Sequence, residues 1–362
     1  MTENLESFMN KIEHLIKYLL FPFSILFRLV IILRNFLYDK NLFNTTKLPC
    51  YVISIGNLNV GGTGKTPTVL YLCKFLQSNK IKDIAILSRG YKRNRSGTIL
   101  VSKGNGPLEK WQNVGDEPFM MAKKTKNIPI GVDNDRSRGG GFLIKNFKPK
   151  IIILDDGFQH RSLLRDIDIV LINGLSYPSD YSFLSASYLR ETWSSLKRAD
   201  AILFTKNKPT SDLLNKIKKE NIFNCSSTFT NTLTFSKNFS HSTIKDKKVV
   251  LLSGIGNPKH FEKTAKENKC VIVGKKTLRD HFIYNAKILS EIVEFAKSLK
   301  ADCILTTAKD WVKIEPLDPK FSFAILEIEL KLIGENNIET FLEKHLNLDL
   351  SHSPGKNNTN ES

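Results

Sequence analysis

The run Gly56-Asn57-Leu58-Asn59-Val60-Gly61-Gly62-Thr63-Gly64-Lys65-Thr66-Pro67 carries the densest set of groups able to handle phosphate. A glycine-rich turn between a strand and a helix lets backbone N–H groups point at a polyphosphate, and the helix start adds a favourable partial charge for anions. In that frame Asn59, Gly61, Gly62, Thr63, Gly64, Lys65 and Thr66 form a nucleotide cradle, with Lys65 reaching the β- and γ-phosphates and the Thr66 hydroxyl on magnesium. The strict pattern G-x-x-x-x-G-K-[ST] is broken by Asn59 in the place of the first glycine, while Gly61, Gly62 and Gly64 keep the backbone pliable. An acidic element follows at Ile151-Ile152-Ile153-Leu154-Asp155-Asp156. Its strand end places carboxylates beside the phosphate loop, so Asp155 is read as a metal partner and Asp156 as a positioning group at the reacting centre. Paired acids also serve as a plain turn signal. Gly157-Phe158-Gln159-His160-Arg161 adds polar groups where an open sheet presents its ligands.

Those groups need a scaffold, and the apolar pattern supplies one. Short continuous runs at Tyr51–Ile55, Ile84–Leu87, Ile128–Val132, Ile151–Leu154, Ile169–Ile172 and Ala201–Phe204 alternate with helical stretches. This is the signature of a parallel sheet covered on both faces. Strict alternation appears instead at Ser226–Phe235 and Phe321–Leu332, two stretches suited to an antiparallel ribbon. Between them Val249–Leu252, Val271–Val273 and Cys303–Thr306 alternate with helical pieces such as Asn285–Leu299. The expected fold class is α/β, a P-loop NTPase-like parallel sheet with helices on both faces plus a second smaller α/β lobe. The expected units are an N-terminal membrane-associated helical segment (1–46), a P-loop core (47–225), an inter-lobe β ribbon (226–240 and 321–332) and a smaller α/β lobe (241–320). A C-terminal helix (333–350) and a disordered, polar tail (351–362) complete the chain.

A length of 362 residues suits two modest lobes. The balance of 54 basic against 36 acidic residues, a net +18, favours an anionic partner, although a Lys-rich solvated surface gives the same count. Five scattered cysteines without C-x-x-C spacing argue against a disulfide framework or a zinc site. The apolar segment Leu15–Tyr38 is interrupted by Lys17, Pro22, Arg28 and Arg34 and suits an interfacial helix better than a bilayer span.

Several runs together resemble the tetraacyldisaccharide 4'-kinase family. They are Gly56-Asn57 with residues 61–67, Leu87-Ser88-Arg89-Gly90-Tyr91, Gly115-Asp116-Glu117-Pro118, Asp135-Arg136, residues 154–160, Leu189-Arg190-Glu191, Asp280-His281 and Thr307-Ala308-Lys309-Asp310. The matches keep their order from Tyr51 to Lys313. The resemblance implies transfer of the ATP γ-phosphate, with Mg2+, to the 4'-hydroxyl of a tetraacyldisaccharide 1-phosphate, a lipid A precursor. It implies a peripheral or N-terminally anchored protein of the bacterial inner membrane with its lobes on the cytoplasmic face. By the same resemblance Asp116 is the general base, His281 its dyad partner, Glu117 an aid at the metal and Arg89 a stabiliser of phosphate charge. From the residues alone Asp116 caps a helix as readily as it catalyses. Arg136, His160, Arg161 and Arg190 suit the acceptor's phosphate and sugar, since arginine grips planar oxygen pairs, yet surface ion pairs would use them equally well.

Other functions are less well supported. A guanine-nucleotide switch calls for an Asn/Thr-Lys-x-Asp run, and Thr205-Lys206-Asn207-Lys208 ends in Lys. No zinc-finger spacing, aromatic RNA signature or concentrated basic helix supports nucleic-acid binding. No protein partner is implied, and a pure membrane scaffold leaves the phosphate loop unexplained.

Overall fold

Continuous apolar strands must bury both faces, and in the computed structural model they do so within one twelve-stranded sheet. The structure describes residues 25–58, 62–175, 190–206, 208–217, 223–239, 243–335 and 337–346. The strands are β1 (Tyr51–Asn57), β2 (Ile84–Ser88), β3 (Ile99–Ser102), β4 (Ile130–Val132), β5 (Ile151–Asp155), β6 (Ile167–Asn173) and β7 (Ala201–Thr205), then β8 (Phe223–Phe235), β9 (Lys248–Ser253), β10 (Val271–Thr277), β11 (Cys303–Thr307) and β12 (Phe323–Ile333). Their order across the sheet is β10-β9-β11-β12-β8-β7-β6-β1-β5-β2-β4-β3. All neighbours run parallel except β3 with β4 and β8 with β12.

The helices are α1 (25–39), α2 (Lys65–Ser78), α3 (Trp111–Val114), α4 (Asp116–Lys124), α5 (Arg136–Phe147), α6 (Ser211–Ile217), α7 (Pro258–Glu267), α8 (Ala286–Ser298), α9 (Ala308–Ile314) and α10 (Ile338–Leu346). Side chains alternate across β1 with the pleat. Ile53 and Ile55 pack with Val69, Leu72 and Leu76 of α2, whereas Val52 joins Leu48 and Leu143 of α5 on the opposite face. Each such side chain, fully buried, contributes about 1.5–3 kcal/mol. Three glycines in α5 weaken it as a helix, and packing explains two of them. A Cβ at Gly139 would lie 2.8 Å from Leu87 Cδ1, and one at Gly140 would lie 2.4 Å from Leu48 Cδ1.

The pairing of β8 with β12 decides where a site can lie. β7 accompanies β8 only as far as Phe204↔Ser226, so Ser227–Phe235 projects past the carboxyl ends of the first strands. Nine extended residues reach about 30 Å. β12 begins beside Phe235 and runs back, and β11, β9 and β10 follow its direction. The carboxyl ends of these strands therefore point toward those of β1, β2 and β5. Ligands of open α/β sheets bind outside strand carboxyl ends, and here two such edges face each other.

Among the described residues no helix is long and apolar enough to cross a membrane. Ile25, Leu26, Phe27, Leu29, Val30, Ile32, Leu33 and Phe36 of α1 are 43–60% exposed. The sequence readings for residues 1–24 and 351–362, and for Asn59, Gly61 and Leu189, fall outside the described residues.

Candidate functional site

The phosphate-handling turn leaves β1 through Asn57, whose buried amide Nδ2 donates to Thr63 Oγ1 at 2.9 Å, while Gln159 Nε2 donates to Asn57 O at 2.7 Å. Gly64 is left-handed, φ 89°, and a Cβ there would lie 2.1 Å from Phe229 Cζ of β8, so both backbone and space demand glycine. α2 starts at Lys65, with Pro67 in its first turn, where its missing N–H costs little. Lys65 Nζ lies 3.5 Å from Asp156 Oδ1, and Arg190 Nη1 grips both oxygens of Asp156 at 3.0 and 2.8 Å. Burial alone would raise the Asp156 carboxyl, but the charges of Lys65 and Arg190 hold it below its ordinary value.

Asp155 ends β5 in the interior. Its Oδ2 accepts from Ser88 Oγ at 2.8 Å, and its Oδ1 has no hydrogen-bond partner among the described residues. Burial, with the charges of Glu117 and Asp156, pushes its carboxyl up to about 7. An orphaned buried carboxylate oxygen amid other acids is a place for a cation.

Arg136 is buried at the start of α5, with Nη1 donating to Asn134 O at 3.1 Å and Nε unpartnered among the described residues. Burial pushes its guanidinium down to about 10, with Asp156 opposing and Arg89 reinforcing the shift. His160 lies beside it, its Nε2 3.4 Å from Arg136 N and 2.9 Å from Ser162 Oγ. Burial and the Arg136 charge push His160 down to about 4, which keeps it neutral. Arg161 is engaged elsewhere: it donates to Asn35 O at 2.8 Å and Asp39 Oδ1 at 2.7 Å, over the Tyr38 ring. It thus fastens α1 to the sheet. Glu191 does the same from a fully buried position, accepting from Arg34 Nη2 at 2.5 Å and from Asn35 Nδ2 and Ser195 Oγ at 2.8 and 2.7 Å.

The second strand edge supplies the partner of Asp116. His281, left-handed at φ 61°, follows β10 and sets Nδ1 2.8 Å from Asp116 Oδ2. Asp116 Oδ1 accepts from Glu117 N at 3.0 Å. Lys309 Nζ lies 3.1 Å from His281 Nε2, 3.2 Å from Asp280 Oδ1 and 3.3 Å from Glu117 Oε1. Burial opposes the Lys309 charge, but Glu117, Asp116 and Asp280 outweigh it and raise the ammonium above its ordinary value. An ammonium only donates, so Nε2 must carry the ring lone pair and Nδ1–H must donate to Asp116. Burial would raise the Asp116 carboxyl, but the His281 hydrogen bond and the charges of Lys309 and Lys313 bring it below its ordinary value. Asp116 is therefore an ionised acceptor with one edge already engaged. Sequence reasoning assigned no role to Ser88, Asp280, Lys309 or Lys313. For Lys313 the only signal was a lysine between the apolar neighbours Val312 and Ile314.

A lysine at a helix start after a glycine-rich turn, set against an ionised carboxylate from a facing strand edge, is an arrangement that phosphotransferases use, and the opposed strand ends give it the frame of an α/β kinase. A family model described as LpxK, tetraacyldisaccharide-1-P 4'-kinase, matches residues 16–347. The tetraacyldisaccharide 4'-kinase of Aquifex aeolicus is 33% identical over 330 residues, covering 89% of this chain and 97% of that protein. That of Flavobacterium psychrophilum is 36% identical, covering 91% and 95%. A crystal structure of the "apo" form of LpxK from Aquifex aeolicus in complex with ATP superposes with a TM-score of 0.69 at 30% identity, covering 91% of this chain and 99% of that one. The chain belongs to the tetraacyldisaccharide 4'-kinase family, ATP-dependent kinases that phosphorylate tetraacyldisaccharide 1-phosphate at the 4' position.

Proposed function

We propose that Asp116 is the general base toward the 4'-hydroxyl, that His281 fixes its orientation, and that the cradle opening at Asn57 holds the triphosphate of ATP. The observation that carries this reading is the pairing of buried Asp116 with half-buried His281, 2.8 Å apart although contributed by opposite strand edges. Oδ2 is engaged by His281 and Oδ1 by the Glu117 amide, and the carboxylate keeps acceptor sites to which an alcohol can donate its proton. Phosphoryl transfer in a loose transition state releases that proton late, so a weak but well-aimed base suffices. Lys65 exchanges Asp156 for phosphate oxygens, Arg190 retains Asp156, and Arg89 and Arg136 neutralise charge on the transferred group. His160 orients Arg136 through its backbone, and Arg161 acts on the acceptor's side only through α1.

Magnesium fits the acidic strand end, because Asp155 offers an unpartnered buried oxygen among the described residues. Thr66, Asp155 and Glu117 would hold the ion. Magnesium keeps waters and phosphate oxygens as most of its ligands, so one or two carboxylates with a hydroxyl suffice to hold it. When bound, magnesium supplies neutralisation of phosphate charge.

The exposed apolar residues of α1 and the lipid acceptor support peripheral attachment at the cytoplasmic face of the bacterial inner membrane. Residues 47–225 then act as a P-loop NTPase-like kinase core, residues 241–320 as a smaller lobe that brings His281, and residues 226–240 with 321–332 as the ribbon between them. The test is turnover of purified tetraacyldisaccharide 1-phosphate, with product identified by mass. Asp116→Asn should lower kcat at least about 100-fold and leave ATP affinity within about twofold. If ATP binding collapses while the residual rate per bound ATP is normal, Asp116 belongs to the nucleotide site instead.

A further inference from the structure

The run Thr307-Ala308-Lys309-Asp310 opens α9, and its consequence lies one turn further on at Lys313. We propose that Lys313 is a positioning residue for phosphoryl transfer, holding the Oδ2 edge of the Asp116 carboxylate so that Oδ1 alone is presented to the alcohol. This rests on Asp116 being the base.

Lys313 has a side-chain exposure of 0%, and its Nζ stands 3.0 Å from Asp310 Oδ1 and 3.9 Å from Asp116 Oδ2, over the Tyr284 ring at 5.4 Å. Neither Nζ nor Asp310 Oδ1 makes an aligned hydrogen bond among the described residues, so the contact with Asp310 is one of charge and the ammonium donors are not consumed by it. Asp310 itself cannot swing away. Its Oδ2 accepts from Gly254 N at 2.9 Å and from Thr307 Oγ1 at 2.8 Å, and Thr307 in turn accepts from Asp310 N as the helix cap. Gly254 follows β9 and Thr307 ends β11, so the sheet fixes Asp310, Asp310 fixes Lys313, and Lys313 faces the base.

A fully buried ion pair is poor value as a source of stability, because apolar residues of similar volume often do as well or better. Geometry supplies the better reason for this one. His281 and Lys313 both face Oδ2, and the Glu117 amide donates to Oδ1. A carboxylate with a hydrogen bond on each oxygen and an ammonium charge beside Oδ2 is restrained from rotating about its Cβ–Cγ bond. Lys309 and Lys313 lie four residues apart on α9, so one helix sets both the ring that orients the base and the charge that steadies it.

Lys313→Met alone would strand the buried Asp310 carboxylate, so the decisive variant is Lys313→Met in an Asp310→Asn background, compared with Asp310→Asn. Folding is read by near-UV circular dichroism and melting temperature, and activity by full kinetics on ATP and the lipid acceptor. The expected result is a kcat about 10- to 100-fold lower with both KM values within about twofold, the scale set by misplacing a reacting group by an ångström or so. In an Asp116→Asn background the same change should lower kcat by less than about twofold, because the group being positioned is gone. A folded double variant with the kcat of Asp310→Asn overturns the proposal, as does a full independent loss in the Asp116→Asn background. Should the double variant not fold, Lys313→Arg decides. It keeps the buried charge and its pairing with Asp310 but sets that charge at another distance from Oδ2, so reduced kcat at unchanged KM supports the proposal and wild-type kcat overturns it. Asp116→Asn alone separates the two readings: if it stays active, the assignment of the base fails, whereas if it collapses while Lys313 variants are normal, only the role of Lys313 fails.

Discussion

Replacing Glu191 by alanine tests whether α1 is fastened to the sheet by one buried carboxylate. Glu191 is fully buried and receives Arg34, Asn35 and Ser195, with Arg198 Nη2 a further 3.4 Å away. Removing one member of a buried ionic network costs about 3–5 kcal/mol, chiefly from the charge left without a partner. Arg34 keeps 33% of its side chain exposed and recovers hydration, so the low end, about 3 kcal/mol, applies. Unfolding entropy of roughly 2 cal/mol/K per residue gives about 0.75 kcal/mol/K for a chain of this length, and the melting temperature should fall by about 4 °C. Calorimetry reads the shift, and a double-mutant cycle with Arg34→Ala should return a coupling of about 1–3 kcal/mol. A fall below about 1 °C, or additivity of the two changes, would show that the carboxylate is not the link.

Changing Leu26, Leu29 and Leu33 together to serine should lower recovery on vesicles of anionic and zwitterionic lipid at least tenfold, with the melting temperature unchanged, because these side chains already face solvent; equal recovery would remove α1 from the membrane contact. His160 is lowered to about 4 against 6.5 in the unfolded chain, so unfolding takes up a proton between those values. Its share of stability is intact above about pH 6.5 and declines as pH falls toward 4, and His160→Gln should flatten the melting temperature across that window; an unaltered slope would mean that His160 titrates normally.

The strand positions were legible because both-face burial leaves continuous apolar runs, and β1, β2, β5, β6 and β7 contain the runs that mark them. β3 was not, since four residues at an antiparallel edge carry too little pattern. Asp155 and Asp156 announced themselves by ending an apolar strand, and Lys65 by its glycines. The contact between His281 and Asp116 spans 165 residues and no local spacing encodes it. It arises from the reversal of strand direction at β8 and β12, a property of sheet order. Arg161 could not be told apart from Arg136 and Arg190 by type, because its engagement with Asp39 and Asn35 depends on where α1 lies.

That reversal gives the pairing of β8 with β12 the character of a ruler. Ten residue pairs, Phe235↔Ala324 to Ser226↔Ile333, set how far the returning strands travel before β11 and β10 deliver their ends. A slip of one residue would displace that delivery by about 3.4 Å and turn every side chain of the ribbon to its other face. The displacement exceeds the 2.8 Å separation of His281 from Asp116, so a single deletion in either strand would part that pair from a position remote from both residues.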